Sequence, residues 1–203
     1  MADNTNYSQS VLLAIGSNLD ARSNIFKALA QLDKAFEIKH ISPAYQSQAV
    51  EQACAPDYIN IGLIMHTDKS IAETLHICRT IEKARGQYKS LLQVESGHSK
   101  LCAIDIDLLA FKNIKGCCAN VHEKSGFNSK ICLPRPAYKL EMHHLRCFLD
   151  IAPDWQPFLK SSMTVAEFWA DTVSTNLNTQ PNESNWQLVS DFELPLTNAI
   201  IQG

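Results

Sequence analysis

The chain has 203 residues, 45% of them hydrophobic and 19% charged, enough apolar material for one well-filled core and little room for a second. Eighteen basic against twenty-one acidic residues give a net charge of -3 with no long basic run, which argues against nucleic acid as a partner. Met1 to Ser10 is polar, without a basic leader or apolar segment, and no stretch approaches about twenty apolar residues. The expected setting is therefore the cytoplasm, with no membrane partner.

In chain order, Val11 to Ile15 is a short apolar run that reads as a buried strand, and Gly16-Ser17-Asn18 breaks it. Ile25, Leu29, Leu32 and Phe36 then repeat on one side of a helix, with Asp20 as its candidate cap. Phe36 to Tyr45 is a second extended segment, Pro56-Asp57 marks a turn, and Tyr58 to Met65 forms a third strand. Ile71, Leu75, Cys78 and Ile81 give the next helix a clear stripe, and Gly86 supplies its stop. The polar stretch from Gln87 to Ser99 is long for a connection, and two readings stay open: a segment that covers a ligand, or a plain surface loop.

Residues 104 to 109, Ile-Asp-Ile-Asp-Leu-Leu, read as a strand in which Asp105 and Asp107 share one face while Ile104, Ile106 and Leu108 point to the other. Two carboxylates held together on a rigid element repel one another, and a divalent cation relieves the repulsion. Magnesium prefers one or two carboxylates plus substrate phosphates to a closed protein cage, so the pair points to phosphoryl chemistry. The bland alternative is a pair of acids on the solvent side of an edge strand.

Lys112 to Lys130 has no regular pattern and reads as a hairpin-like excursion or an insertion. Pro134 and Pro136 precede a third helix bearing Tyr138, Met142, Leu145 and Leu149, which Pro153 ends. Thr164 caps a last short helix with Glu167 as the other half of a capping box. Ser174 to Ser184 looks like a linker. The following Trp186, Leu188, Phe192 and Leu194 either fold back on the domain or stay available to a protein partner. The expected division is a domain over 1–173 and a linker with C-terminal tail over 174–203. Seven cysteines without a Cys-x-x-Cys spacing read as free thiols, although Cys117, Cys118, His122 and Cys132 are conceivable zinc ligands.

Strand, helix, strand, strand, helix, strand specifies an α+β class: a ferredoxin-like βαββαβ antiparallel sheet with additional C-terminal helices. That fold hosts unrelated activities, so function rests on the site.

Five blocks in order carry a resemblance. They are Ala14-Ile15-Gly16-Ser17-Asn18-Leu19, Ser42-Pro43-Ala44-Tyr45, Pro56-Asp57-Tyr58-Ile59-Asn60, Ile81-Glu82 with Gly86, and Ile104 to Leu109. Together, and with Pro134 through Pro153-Asp154, they resemble 6-hydroxymethyl-7,8-dihydropterin pyrophosphokinase, a folate-pathway enzyme, over about residues 10 to 157. The resemblance implies transfer of the terminal diphosphate of ATP to the hydroxymethyl group of a reduced pterin, with release of AMP. It implies two magnesium ions held by Asp105 and Asp107 around the ATP co-substrate. Tyr58 and Asn60 match positions near the pterin, where a ring stacks and an amide hydrogen-bonds a heterocycle. Their other reading is structural: in a strand Tyr58 fills core and Asn60 caps a neighbouring loop. Ser47, Gln48 and Val50 belong to the stretch whose backbone completes the pterin pocket. Glu82 matches a residue at the nucleotide and pterin region, and its other reading is an exposed helical acid paired with Arg79 or Lys83. Gly16 and Ser17 are expected to shape a turn.

The departures bear on the phosphate clamp. Gln87 and Cys102 stand where the family has arginine, and Gln93 to Ser99 lacks the family's arginine and tryptophan. Lys89 and Lys100 are the nearest catalytic substitutes, and lysine supplies charge without the rigid bidentate fork. Arg135 approaches a phosphate or lies on the surface; Tyr138 lies near adenine or packs in the core. An active divergent enzyme is thus one expectation. A weak or inactive member repurposed for ATP or pterin binding is the alternative, and an unrelated activity on the same scaffold is the third.

Overall fold

A computed structural model of the chain describes residues 9–48, 56–86, 101–112, 114, 116–122, 128–133, 142–156, 163–175 and 186–192. The apolar run after Gln9 forms β1, Ser10–Ser17, almost wholly buried, as expected of a strand covered on both faces. It pairs antiparallel with β4, Tyr58–His66, on one side and with β5, Asp105–Phe111, on the other. The single extended segment expected from Phe36 to Tyr45 is two strands. β2, Glu37–Ile41, and β3, Tyr45–Ser47, both pair with β4, and Ser42-Pro43-Ala44 lies between them. Ser42 makes that break: its N–H donates to Gly62 O at 2.9 Å and its Oγ accepts from Gly62 N–H at 2.8 Å. The sheet order is β5-β1-β4-β3, with β2 also on β4, which is the ferredoxin-like βαββαβ arrangement.

Alternate residues of each strand divide between two cores. One face, with Val11, Leu13, Ile15, Leu63 and Met65, packs against α1, Ala21–Asp33, and α2, Ile71–Gly86. The other, with Leu12, Ile64 and Leu109, packs against α3, Met142–Ile151, and α4, Val165–Thr175, through Leu145, Phe148 and Val165. Gly62 permits that second contact, since a Cβ there would sit 3.1 Å from Cys147 Cβ. α3 therefore lies directly on the sheet face that carries the two aspartates.

The helix starts differ in mechanism. Thr164 and Glu167 form the expected capping box, with N–H bonds of 2.8 and 3.2 Å exchanged between them. Ser70 and Glu73 form another at α2. Asp20 occupies the cap position of α1 but makes no side-chain cap bond, because its backbone is left-handed (φ 44°) instead of extended.

Residues 116–122 and 128–133 form an antiparallel two-stranded sheet, β6 and β7, within the irregular stretch after β5. Of the tail, residues 186–192 fold back on the sheet, and Leu194 lies outside the described residues. β8, Trp186–Leu188, pairs with β3, and Val189 N–H donates to Ala44 O at 3.0 Å. Phe192 then meets Phe26 edge-on at 5.1 Å under the Arg22 guanidinium, and Arg22 pairs with Asp191. No described helix is long and apolar enough to cross a membrane.

Candidate active site

Facing residues of an antiparallel ladder share a face. The register sets Gly16 between Asp105 on β5 and Asn60 on β4, with Tyr45 next to Asn60 on β3. The adjacent row is Asp107, Ala14 and Gly62. Asp105 and Asp107 thus stand on the same sheet face, with Asn60 across a strand that offers only Gly16 and Ala14 between them. A Cβ on Gly16 would lie 3.2 Å from Asn60 Oδ1 and 3.6 Å from Tyr58 Cδ1, so glycine keeps a shallow floor open there.

The turn after β1 holds this end of the sheet together. Cys102 O accepts from Asn18 and Leu19 N–H at 3.0 and 3.2 Å, and Asn18 Oδ1 accepts from Cys102 N–H at 2.6 Å. Ser17 Oγ donates to Ala103 O at 2.7 Å and Asn18 Nδ2 to Pro56 O at 3.2 Å. Ser17 and Asn18 are both buried, and they tie the approaches to β5 and β4 to one turn. Asp105 and the Tyr58–Asn60 segment are consequently placed by the same hydrogen bonds. Of these, Asn18 is a positioning residue that the motif alone does not single out.

Asn60 is buried and donates through Nδ2 to Ser47 Oγ at 2.8 Å. That bond fixes the amide plane beside Gly16 and links it to the edge where Gln48 is exposed. Tyr58, facing Ser47 across the ladder, is half-buried. Tyr45 donates through its hydroxyl to Asp150 Oδ2 at 2.6 Å, and Arg146 stacks on its ring at 4.1 Å. These contacts bind α3 to β3.

The carboxylates differ. Asp105 is exposed, whereas the Asp107 side chain is 30% exposed and its Oδ2 lies 3.1 Å from Nε2 of His144, a buried residue of α3. Glu82 reaches in from α2 on the opposite side, and its Oε1 accepts the Ile106 N–H at 2.8 Å. Glu82 is therefore not the exposed acid of the plain reading. Burial, reinforced by the charges of Asp105 and Asp107 and only partly offset by the Ile106 N–H, pushes its carboxyl up to about 7. Glu82 thus approaches β5 from one face of the sheet, while Asp105 and Asp107 stand on the other.

A pair of carboxylates on one strand face suits a hard divalent cation. Among the described residues, no group of three or more His, Cys, Asp or Glu side chains forms a metal cage by itself. A cleft of about 630 Å³ lies at the other end of β1 and β4, lined by Asp33, Lys34, Glu37, His66, Asp68 and Lys112. Its three carboxylates stand with two lysines, and it is remote from the aspartates in register. Lys89, Lys100, Val50, Arg135 and Tyr138, also expected at the site, lie outside the described residues. His144 is not among the residues the sequence pattern singles out, since a histidine in a helix carries no chemical motif by itself. The available signal was its spacing, four residues before Phe148 on the buried stripe.

A ferredoxin-like α+β domain with two acids at the head of its edge strand and an asparagine-tyrosine pair across the sheet defines the class. The sequence model of the family described as 7,8-dihydro-6-hydroxymethylpterin-pyrophosphokinase (HPPK) matches residues 12–153. The chain belongs to that family. Solved structures share the fold. HPPK-DHPS of Plasmodium falciparum, wild type with SDX-DHP, is 11% identical, with a TM-score of 0.64 over 88% of this chain and 47% of that one. The wild type with pteroate is 12% identical at a TM-score of 0.66, covering 88% and 47% of the two chains. An HPPK-DHPS in complex with substrates is 13% identical at 0.63, covering 88% and 46%. The chain spans about half the length of these structures. No curated protein matches it.

Proposed function

We propose that this protein transfers diphosphate from ATP to 6-hydroxymethyl-7,8-dihydropterin, releasing AMP, as a step of folate biosynthesis. Family membership supports that class of chemistry. The observation that carries the reading is the cross-sheet row of Asp105, Gly16 and Asn60, which joins a cation site to a flat polar floor a few residues wide. With AMP as leaving group, the substrate hydroxyl attacks the β-phosphorus; one O–P bond forms and the bond to the α-phosphate oxygen breaks.

Asp105 and Asp107 would hold magnesium, both being carboxylates on one sheet face, with Asp105 exposed. Bound there, magnesium neutralises the triphosphate and polarises the phosphorus centre. Asn60, locked by Ser47, hydrogen-bonds the pterin edge, and Tyr58 flanks the ring. Backbone groups of Ser47, Gln48 and Val50 complete that pocket. Glu82 holds the Ile106 N–H and so keeps the two aspartates in register. Lys89 and Lys100 supply positive charge to the phosphates, with Arg135 and Tyr138 on the nucleotide side. Orientation of the two substrates is the main contribution, since phosphoryl transfer asks for alignment and charge stabilisation more than covalent chemistry.

One observation favours the second reading, a weak or inactive member that binds ATP or pterin. Cys102 is only 6% exposed and offers a thiol in place of the guanidinium where the family's arginine stands. AMP formation from ATP and magnesium, with and without the dihydropterin, separates the two. Pterin-dependent AMP supports the enzyme; saturable ATP binding without AMP in folded protein supports the repurposed form.

A further inference from the structure

α3 reaches the aspartates through one polar side chain. His144 is 2% exposed and lies next to Leu145 and four residues before Phe148, both of which anchor the helix in the second core. Its Nε2 is 3.1 Å from Asp107 Oδ2. In the tautomer that carries hydrogen on Nε2, the imidazole donates and the carboxylate oxygen accepts. His143 tilts against the same ring at 4.1 Å. Helix anchors and a neighbouring ring restrain this imidazole, and a restrained donor restrains the carboxylate it holds.

We propose that His144 is a positioning residue for the cation site: its contact with Oδ2 fixes the orientation in which the Asp107 carboxylate meets the metal. The inference rests on the reading of Asp105 and Asp107 as magnesium ligands. Carboxylates that bind metals are commonly held by a second hydrogen bond, and losing such a partner costs about 10- to 100-fold in metal affinity. The same bond couples the site to the far end of α3, where Arg146 and Asp150 grip Tyr45 of β3. His144 thus links the cation side of the row to its pterin side through one helix.

The test is Mn2+ binding, measured by electron paramagnetic resonance in the presence of α,β-methylene-ATP, for wild type, His144→Leu, His144→Gln and Asp107→Ala. Leucine fills the buried space without a donor, whereas glutamine restores an N–H near the position of Nε2. The expected result is a loss of about tenfold or more in His144→Leu, substantial recovery in His144→Gln, and no further loss when His144→Leu is added to Asp107→Ala. Folded His144→Leu protein with wild-type Mn2+ affinity overturns the inference, as does equal loss in the leucine and glutamine variants. Should His144→Leu fail to fold, 15N spectra of the wild-type imidazole decide: a Mg2+-dependent shift of Nε2, absent in Asp107→Ala, supports the coupling, and no shift refutes it. Wild-type protein that binds no Mn2+ with the nucleotide overturns the metal reading itself and this inference with it. Unaltered binding in His144→Leu overturns the inference alone.

Discussion

Glu82→Gln isolates the electrostatic tension at the head of β5. Glutamine keeps an oxygen to accept the Ile106 N–H, so the change removes the titration and little else. The Glu82 carboxyl rises from its ordinary 4.5 to about 7, first because it is buried and then because Asp105 and Asp107 are close. The folded state therefore binds its proton more tightly than the unfolded chain does. The stabilising effect is fully present below about 4.5 and is lost as pH rises through about 7. At 1.36 kcal/mol per pH unit the displacement corresponds to roughly 3 kcal/mol. Glu82 is partly exposed, and solvent screening reduces the expected effect to about 1–2 kcal/mol. In metal-free buffer with chelator, urea denaturation at pH 5 and pH 8 should show wild type losing about that much more than Glu82→Gln. Parallel losses in the two proteins would refute the argument that a buried, proton-binding carboxyl lies beside the aspartates.

Three further substitutions probe the frame around the row. Gly16→Ala places a Cβ against Asn60 Oδ1, which Ser47 holds in place, so it should cost about 1 kcal/mol and raise KM for the pterin more than KM for ATP; equal KM values to wild type would remove Gly16 from the pocket floor. Tyr45→Phe deletes the hydroxyl bonded to Asp150 while Arg146 still pairs with that acid, and denaturant unfolding should report a loss of about 1 kcal/mol; no loss would mean the α3–β3 tie carries no stability. Phe192→Ala removes the ring packed between Phe26 and Arg22 and should cost about 2–3 kcal/mol by the same assay; an unchanged midpoint would show that the strap of residues 186–192 is not docked in solution.

The alternation of strands and helices was legible because the apolar runs at Val11, Tyr58 and Ile104 are bounded by turn residues or polar segments, and the helices between them show a spacing near 3.6. Asp105 and Asp107 were legible for the same reason, standing two apart in an otherwise apolar strand. The split between β2 and β3 was not, since Ser42-Pro43 is compatible with extended chain and breaks it only through bonds to Gly62 on a distant strand. β8 has three residues, too few for a periodic signal, and its place depends on the open edge of β3. Asp20 has the right residue type for a cap, but the backbone it adopts decides whether the side chain is used. Glu82 and His144 show the same limit at the site. Each is polar on a helix, and each acquires meaning only from the β5 residue that tertiary packing sets beside it.

AMP release from ATP and magnesium, measured with and without 6-hydroxymethyl-7,8-dihydropterin on wild type and an Asp105→Ala, Asp107→Ala double variant, tests the central claim most directly. The account predicts pterin-dependent AMP in the wild type, lost in a double variant whose fold is intact. AMP that persists without the two aspartates would contradict their role, and no pterin-dependent AMP from folded wild type would contradict the proposed transfer itself.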